Sequence, residues 1–174
     1  MISAKFRPIT YAWEMVAHIS LSDFDPPNRA PNAECVLCDS PGGRLVWANT
    51  RWRVVAVDDP SFPGFYRVIA QDHIAEFSAL TGNDRHHLMD VVATVEQVLI
   101  SLLKPTKMNL ASIGNMVPHL HWHVVPRFAS DSHFPESIWG PPQRESPWVT
   151  PGELTTPIEE LEFALSQALS RSDG

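Results

Sequence analysis

Apolar positions along the chain recur with two periods, and the switches between them mark the predicted elements. Between Asn83 and Pro105, the residues Leu88, Val91, Val92, Val95, Val98, Leu99 and Leu102 keep 3.6-residue spacing. This predicts one long helix, capped by Asn83 or Asp84 and stopped at Lys104-Pro105. Short runs rich in β-branched and aromatic residues surround it. Arg44 to Ala48 and Trp52 to Val57 read as a hairpin across Asn49-Thr50, and Phe65 to Gln71 follows the Pro60…Pro63-Gly64 turn. Met108 to Ile113 and His119 to Phe128 complete the set after the helix. Five strands around one long helix, without regular strand–helix alternation, predict an α+β domain built on an antiparallel sheet.

The flanks carry different patterns. Trp13, Val16, Ala17 and Ser20 predict a short helix from Ile9 to Leu21, and the turn formers from Asp25 to Asn32 predict a loop that delivers Cys35 and Cys38. Pro41-Gly42-Gly43 then closes the cysteine knuckle. Beyond Arg127 the chain is dense in proline and tryptophan up to Pro151, and Thr156-Pro157 opens an amphipathic helix with Ile158, Leu161, Leu165 and Leu169 on one face. With 174 residues and 44% hydrophobic content, one core is expected and two full domains are not. We therefore expect a single domain over 1–174, with a core at about 35–128, an extension over 1–34 and a tail with a final helix over 129–174.

A net charge of -7 disfavours a broad grip on a nucleic-acid polymer, while a small anionic substrate can still be held by local groups. The first 25 residues hold no continuous apolar core, and the apolar stretch Val91 to Leu103 is interrupted and short. No membrane partner is expected, and the cytoplasm is the default location. Two cysteines separated by two residues in a reducing compartment suggest metal or redox chemistry over a structural disulfide.

The chemistry concentrates in His119-Leu120-His121-Trp122-His123. On a strand, the three imidazoles share one face while Leu120, Trp122 and Val124 take the other, so Trp122 is expected in the core. Such a row needs hydrogen-bond partners or ligands, which favours function over chance. Two chemistries suit it: metal binding, and nucleophilic attack on phosphorus by one imidazole that its neighbours orient. An attacking ring must present one bare nitrogen, which follows when the other donates to a fixed acceptor.

The stretch Gly114-Asn115-Met116-Val117-Pro118-His119-Leu120-His121-Trp122-His123-Val124-Val125-Pro126-Arg127 resembles the signature of the histidine-triad (HIT) family, His-φ-His-φ-His-φ-φ followed by Pro-Arg. Asp58-Asp59-Pro60-Ser61-Phe62-Pro63-Gly64 is similar to a turn of the same family, so the resemblance covers roughly Cys35 to Phe128. It implies a HIT-like fold and a nucleotide hydrolase in which His121 attacks the α-phosphorus of a phosphoanhydride or phosphoramidate. A nucleotidyl-histidine forms transiently, while His123 contacts the phosphate and assists the leaving group. No catalytic metal is required in that chemistry, so backbone N–H groups and the triad meet the developing charge. A nucleotidyltransferase with the same nucleophile, or a non-catalytic nucleotide- or zinc-binding module, stands as the alternative.

By the same resemblance, Asn109 holds substrate phosphates, and Asn115 stands in the approach to the triad where many relatives carry glutamine. Asp58 or Asp59 binds ribose hydroxyls; a plain turn carboxylate explains either equally well. Members of this kind carry a structural zinc, and Cys35, Cys38, His73 and His119 match its ligands, a closed shell of two thiolates and two imidazoles. A redox pair is the competing reading of the cysteines. The implied partners are a small nucleotide, with dinucleoside polyphosphates first, and a second copy of the chain in a homodimer. His133-Phe134-Pro135 and Ile138-Trp139-Gly140 resemble a tail that folds over the site in a bacterial branch, against the alternative of an aromatic surface loop. His86 and His87 read as solvated, and His18 has no context.

Overall fold

The computed structural model describes residues 34–145 and 156–172, so the helix expected from Ile9 to Leu21, and His18 within it, lie outside the described residues. In chain order the elements are α1 (Val36–Asp39), β1 (Arg44–Ala48), β2 (Trp52–Ala56), β3 (Tyr66–Ala70), α2 (Gly82–Leu103), β4 (Lys107–Ala111), β5 (His121–Arg127) and α3 (Ile158–Ser172). The strands form one antiparallel sheet in the order β1-β2-β3-β5-β4. The expected α+β class and five-stranded sheet are what the chain forms.

Register divides the sheet into two faces, because paired residues share a side and neighbours along a strand do not. Val54 pairs Val68 and Val68 pairs Trp122, giving a dry face. Leu88, Val91, Val92, Val95 and Leu99 of α2 and Leu161, Leu165 and Leu169 of α3 join it in one buried core, each no more than 2% exposed. Burying each such side chain contributes about 1.5–3 kcal/mol. By length and composition α2 is apolar enough to cross a bilayer, but here its apolar stripe packs on the sheet and on α3. Trp122 lies in this layer, edge-on to Phe77 with ring centroids 6.1 Å apart, as expected of a core residue.

Two local expectations are corrected. The cap of α2 is Thr81, not Asn83 or Asp84: its side chain accepts from the Asp84 N–H, and its hydroxyl donates to the Asp84 carboxylate at 2.7 Å. A threonine three residues before an acidic residue satisfies these groups reciprocally, which neither later residue can do. The last strand begins at His121 and leaves His119 just before it, because the His119 N–H turns back to the Val117 carbonyl at 2.8 Å. Lys104, left-handed at φ 49°, ends α2 as the Lys104-Pro105 stop predicts.

The other face carries the knuckle at one end and the tail at the other. A single helical turn, α1, sets Cys35 and Leu37 onto Val55 and Ile69. Gly42 (φ 81°) lets the chain return beneath it, since a Cβ there would sit 2.5 Å from Leu37 Cδ2. At the far end Phe62, Phe65 and Val125 pack together with Ile138 of the tail.

Candidate active site and metal centre

Between these two covers, β5 presents His121 and His123 side by side, with ring centroids 4.7 Å apart. Both are buried, at 7% and 5% exposure. Nδ1 of His121 lies 2.6 Å from the His119 carbonyl oxygen. A carbonyl only accepts, so Nδ1 carries the proton and Nε2 is left with its lone pair, the form a nucleophile needs. Burial, with the nearby Arg67 adding to it, holds the His121 pKa below the ordinary imidazole value, so the ring stays neutral near pH 7. His123 is pushed down to about 4, by burial first and then by its neighbours His121 and Arg67. Phe65 and Trp139 enclose its ring, with centroids at 5.5 Å and 5.1 Å.

His119 turns to different work. Its Nε2 donates to the Ala70 carbonyl at 2.9 Å, which leaves Nδ1 bare and facing Cys35 Sγ at 3.4 Å and Cys38 Sγ at 3.5 Å. Nδ1 of His73 lies 3.3 Å from Cys38 Sγ. The four ligand atoms of Cys35, Cys38, His73 and His119 all fall within 4.8 Å of one another. Two sulfurs and two imidazole nitrogens at that spacing suit a tetrahedral ion such as zinc, and the carbonyl behind His119 is the outer support that fixes a ligating tautomer. The fold therefore joins residues separated by up to 84 positions into one donor set, and the cluster can hold a metal.

The tail folds over the site. Arg127, the last residue of β5, is 1% exposed and grips Asp131, 0% exposed, through Nε at 2.7 Å and Nη2 at 2.9 Å. Burial raises the Asp131 carboxyl, but the Arg127 bonds and the N–H groups of His133 and Phe134 outweigh it, and its pKa falls below the ordinary value. This latch brings His133 against Phe62 and Trp139 against His123, which decides against a detached surface loop.

The remaining candidates scatter. Asn109 lies on β4 opposite Val125, on the triad face, with its Oδ1 accepting from Arg127 Nη1 at 2.7 Å. Asn115 is exposed in the loop before β5. Asp58 pairs with Arg44 at 3.5 Å, and Asp59 accepts from the Ser61 N–H at 2.8 Å, as a turn carboxylate does. Both line a cavity of about 240 Å³ with Arg44, Phe65, Tyr66 and Ile158. His86 is exposed, and His87 accepts from the Trp52 indole at 3.2 Å. Sequence reasoning missed Arg67 and Asp131. Arg67 is the one charge in the strand Tyr66–Ala70, and its pairing with His123 is what places it on the triad face.

A model of the HIT domain matches residues 43–130. A curated relative, the asymmetrical bis(5'-nucleosyl)-tetraphosphatase of Schizosaccharomyces pombe, is 29% identical over 97 residues, which are 52% of this chain and 53% of that protein. The chain thus spans about half the length of that relative. A histidine triad protein of Marinobacter aquaeolei VT8 superposes with a TM-score of 0.58 at 23% identity, covering 75% of this chain and 91% of the other. A zinc-bound histidine triad family protein of Mycobacterium smegmatis superposes with a TM-score of 0.53 at 21% identity, over 80% and 96%. The matched span runs from the turn before β1 to the residues just past β5, the same stretch that builds the sheet and holds the triad, and the protein belongs to the HIT domain family.

Proposed function

We propose that the protein is a nucleotide hydrolase that attacks the α-phosphorus of its substrate with His121. The observation that carries this reading is the 2.6 Å bond from His121 Nδ1 to the His119 carbonyl, which leaves Nε2 bare. In the first step Nε2 bonds to phosphorus, and the phosphorus–leaving-group bond breaks with its electron pair on the leaving atom. His123 stands beside the leaving group and, as a neutral imidazole, assists it by donating a hydrogen bond; water then cleaves the nitrogen–phosphorus bond and releases the nucleoside monophosphate. Asn109, with Oδ1 held by Arg127, offers its amide N–H groups to phosphate oxygens. Asn115, in the loop that leads into β5, is assigned to the approach to the triad, and Asp58 or Asp59 to the ribose hydroxyls. The tetraphosphatase activity of the S. pombe relative supports dinucleoside polyphosphates as first substrates.

Cys35, Cys38, His73 and His119 are assigned a structural zinc, in keeping with the zinc-bound mycobacterial neighbour. That ion would supply a clamp between the knuckle and the strand, not chemistry at phosphorus. A homodimer is assigned by family likeness, and β4 offers it a sheet edge with no strand beyond it among the described residues. A light-scattering mass near one chain, 19.5 kDa, removes the dimer.

The enzyme is tested with diadenosine tetraphosphate and His121→Gly. Turnover is expected to fall by at least roughly 10³-fold with nucleotide binding retained, as for loss of a nucleophile. Quenched wild-type reactions should carry a nucleotidyl mass on the peptide containing His121. Equal turnover by the variant overturns the reading.

A further inference from the structure

Apart from Arg127, which is taken up by Asp131 and Asn109, two arginines lie on the triad face of the sheet, and they are used differently. Arg53 spends its guanidinium on structure: its nitrogens donate to the carbonyls of Leu37, Ser40, Pro41 and Ala70 and to the Gln71 amide oxygen. Arg67 makes one hydrogen bond, from Nη1 to the Gly42 carbonyl at 3.2 Å, and its Nε is buried without a partner. No carboxylate pairs with it among the described residues. A half-buried guanidinium presents five donors, and burying its Nε unpaired while its charge is partly desolvated is costly unless something else uses it.

Its position says what that is. Arg67 is the register partner of His123, so the two Cβ atoms stand roughly 4.5–5.5 Å apart on one face. Its guanidinium carbon is held 5.5 Å above the Phe65 ring, and Phe65 also packs on His123. The cation therefore stands beside the residue assigned to the leaving group. An anion at His123 would meet a planar fork suited to phosphate oxygens.

We propose that Arg67 binds the phosphates of the leaving group, and so selects nucleoside polyphosphates over nucleotides whose leaving group is uncharged. This rests on the hydrolase reading of the same site. When the bond to the α-phosphorus breaks, an additional negative charge develops on the departing phosphate, and a preorganised guanidinium stabilises it more than it stabilises the ground state. A departing amine offers the fork nothing to hold.

The test compares diadenosine tetraphosphate with adenosine 5'-phosphoramidate, in wild type, Arg67→Met and Arg67→Lys. The ratio of their kcat/KM values is expected to fall roughly 10²-fold or more in Arg67→Met, the scale of losing one charge-stabilising donor. Arg67→Lys should give an intermediate ratio, since it keeps the charge and loses the fork. A purely structural arginine would lower both rates together and leave the ratio where it was, which overturns the assignment. A second arm needs no turnover. In His121→Gly, calorimetry should show ATP binding more tightly than AMP, and Arg67→Met added to it should erase that preference. If wild type hydrolyses neither substrate while this binding difference appears, the hydrolase reading fails and Arg67 stands; if the preference survives Arg67→Met, the Arg67 assignment fails alone.

Discussion

The two covers of the triad face do one job with opposite electrostatics. The tail closes on an ion pair complete within the chain: Asp131 accepts from Nε and Nη2 of Arg127 and from the N–H groups of Phe128, His133 and Phe134. The knuckle gathers two thiols and two imidazoles whose lone pairs converge on one point, an arrangement that becomes favourable only when a cation occupies that point. One wall is self-sufficient and the other is conditional on a ligand. The difference teaches that a site between them can be lost in two independent ways, by removing a side chain at one end or an ion at the other.

Cutting the self-sufficient wall should have the largest effect. Asp131→Ala leaves the Arg127 guanidinium buried without its counter-charge and removes the carboxylate that three backbone N–H groups donate to. Breaking one side of a buried, hydrogen-bonded pair costs about 3–5 kcal/mol, to be read from chemical denaturation. Trp139 should leave His123 at the same time, giving a change in tryptophan fluorescence. A cost under about 1 kcal/mol would show that the latch is not what holds the tail.

Stripping the conditional wall comes next. Purified protein should hold about one zinc per chain, as a closed four-ligand site requires. Chelation should lower the melting temperature in a way that added zinc reverses, by about 3–4 kcal/mol at zinc concentrations 10²–10³ times the dissociation constant. Cys38→Ser should lose that response, while Asp131→Ala, altered at the opposite cover, should keep it. Protein that folds metal-free and melts unchanged in zinc would return the cysteines to the competing redox reading.

The same contrast explains what the sequence reveals. Elements with a single period are legible: α2 and α3 announce their buried stripes, and β1, β2, β3, β4 and β5 fall within a residue or two of the runs that predict them. The knuckle is legible by chemistry, since Cys35, Cys38, His73 and His119 are residue types with few other reasons to converge. The latch is not, because an Asp four residues after an Arg in a proline-rich stretch looks like any solvated pair until burial is known. Arg67 was hidden for a related reason: its meaning comes from lying across from His123, and strand register is tertiary information. The place of His119 was misjudged because period-2 logic continues a strand for as long as residues alternate. The turn from Val117 stops it one residue pair early and frees the ring for the cysteines.

Acid should separate the triad from both covers, with the smallest effect of the three. The folded His123 pKa is about 4 and the ordinary value is 6.5. Above pH 6.5 the ring is neutral folded or unfolded and contributes nothing to pH dependence; below it the unfolded chain takes a proton that the folded chain refuses. Stability is therefore lost as pH falls from 6.5 to about 4, on the order of 2 kcal/mol of it by pH 5 for His123. Asp131, whose folded pKa lies below the ordinary 3.8, works lower: its contribution is present above 3.8 and lost only as pH falls through the folded value. His119 and His121 are shifted in the same direction as His123, so the comparison that isolates it is wild type against His123→Asn, in urea at pH 7.5 and pH 5. The variant should lose less stability than wild type between those two points. An identical loss would mean that His123 is no more shielded from protons than a surface imidazole, and the enclosure by Phe65 and Trp139 would not be what keeps it neutral.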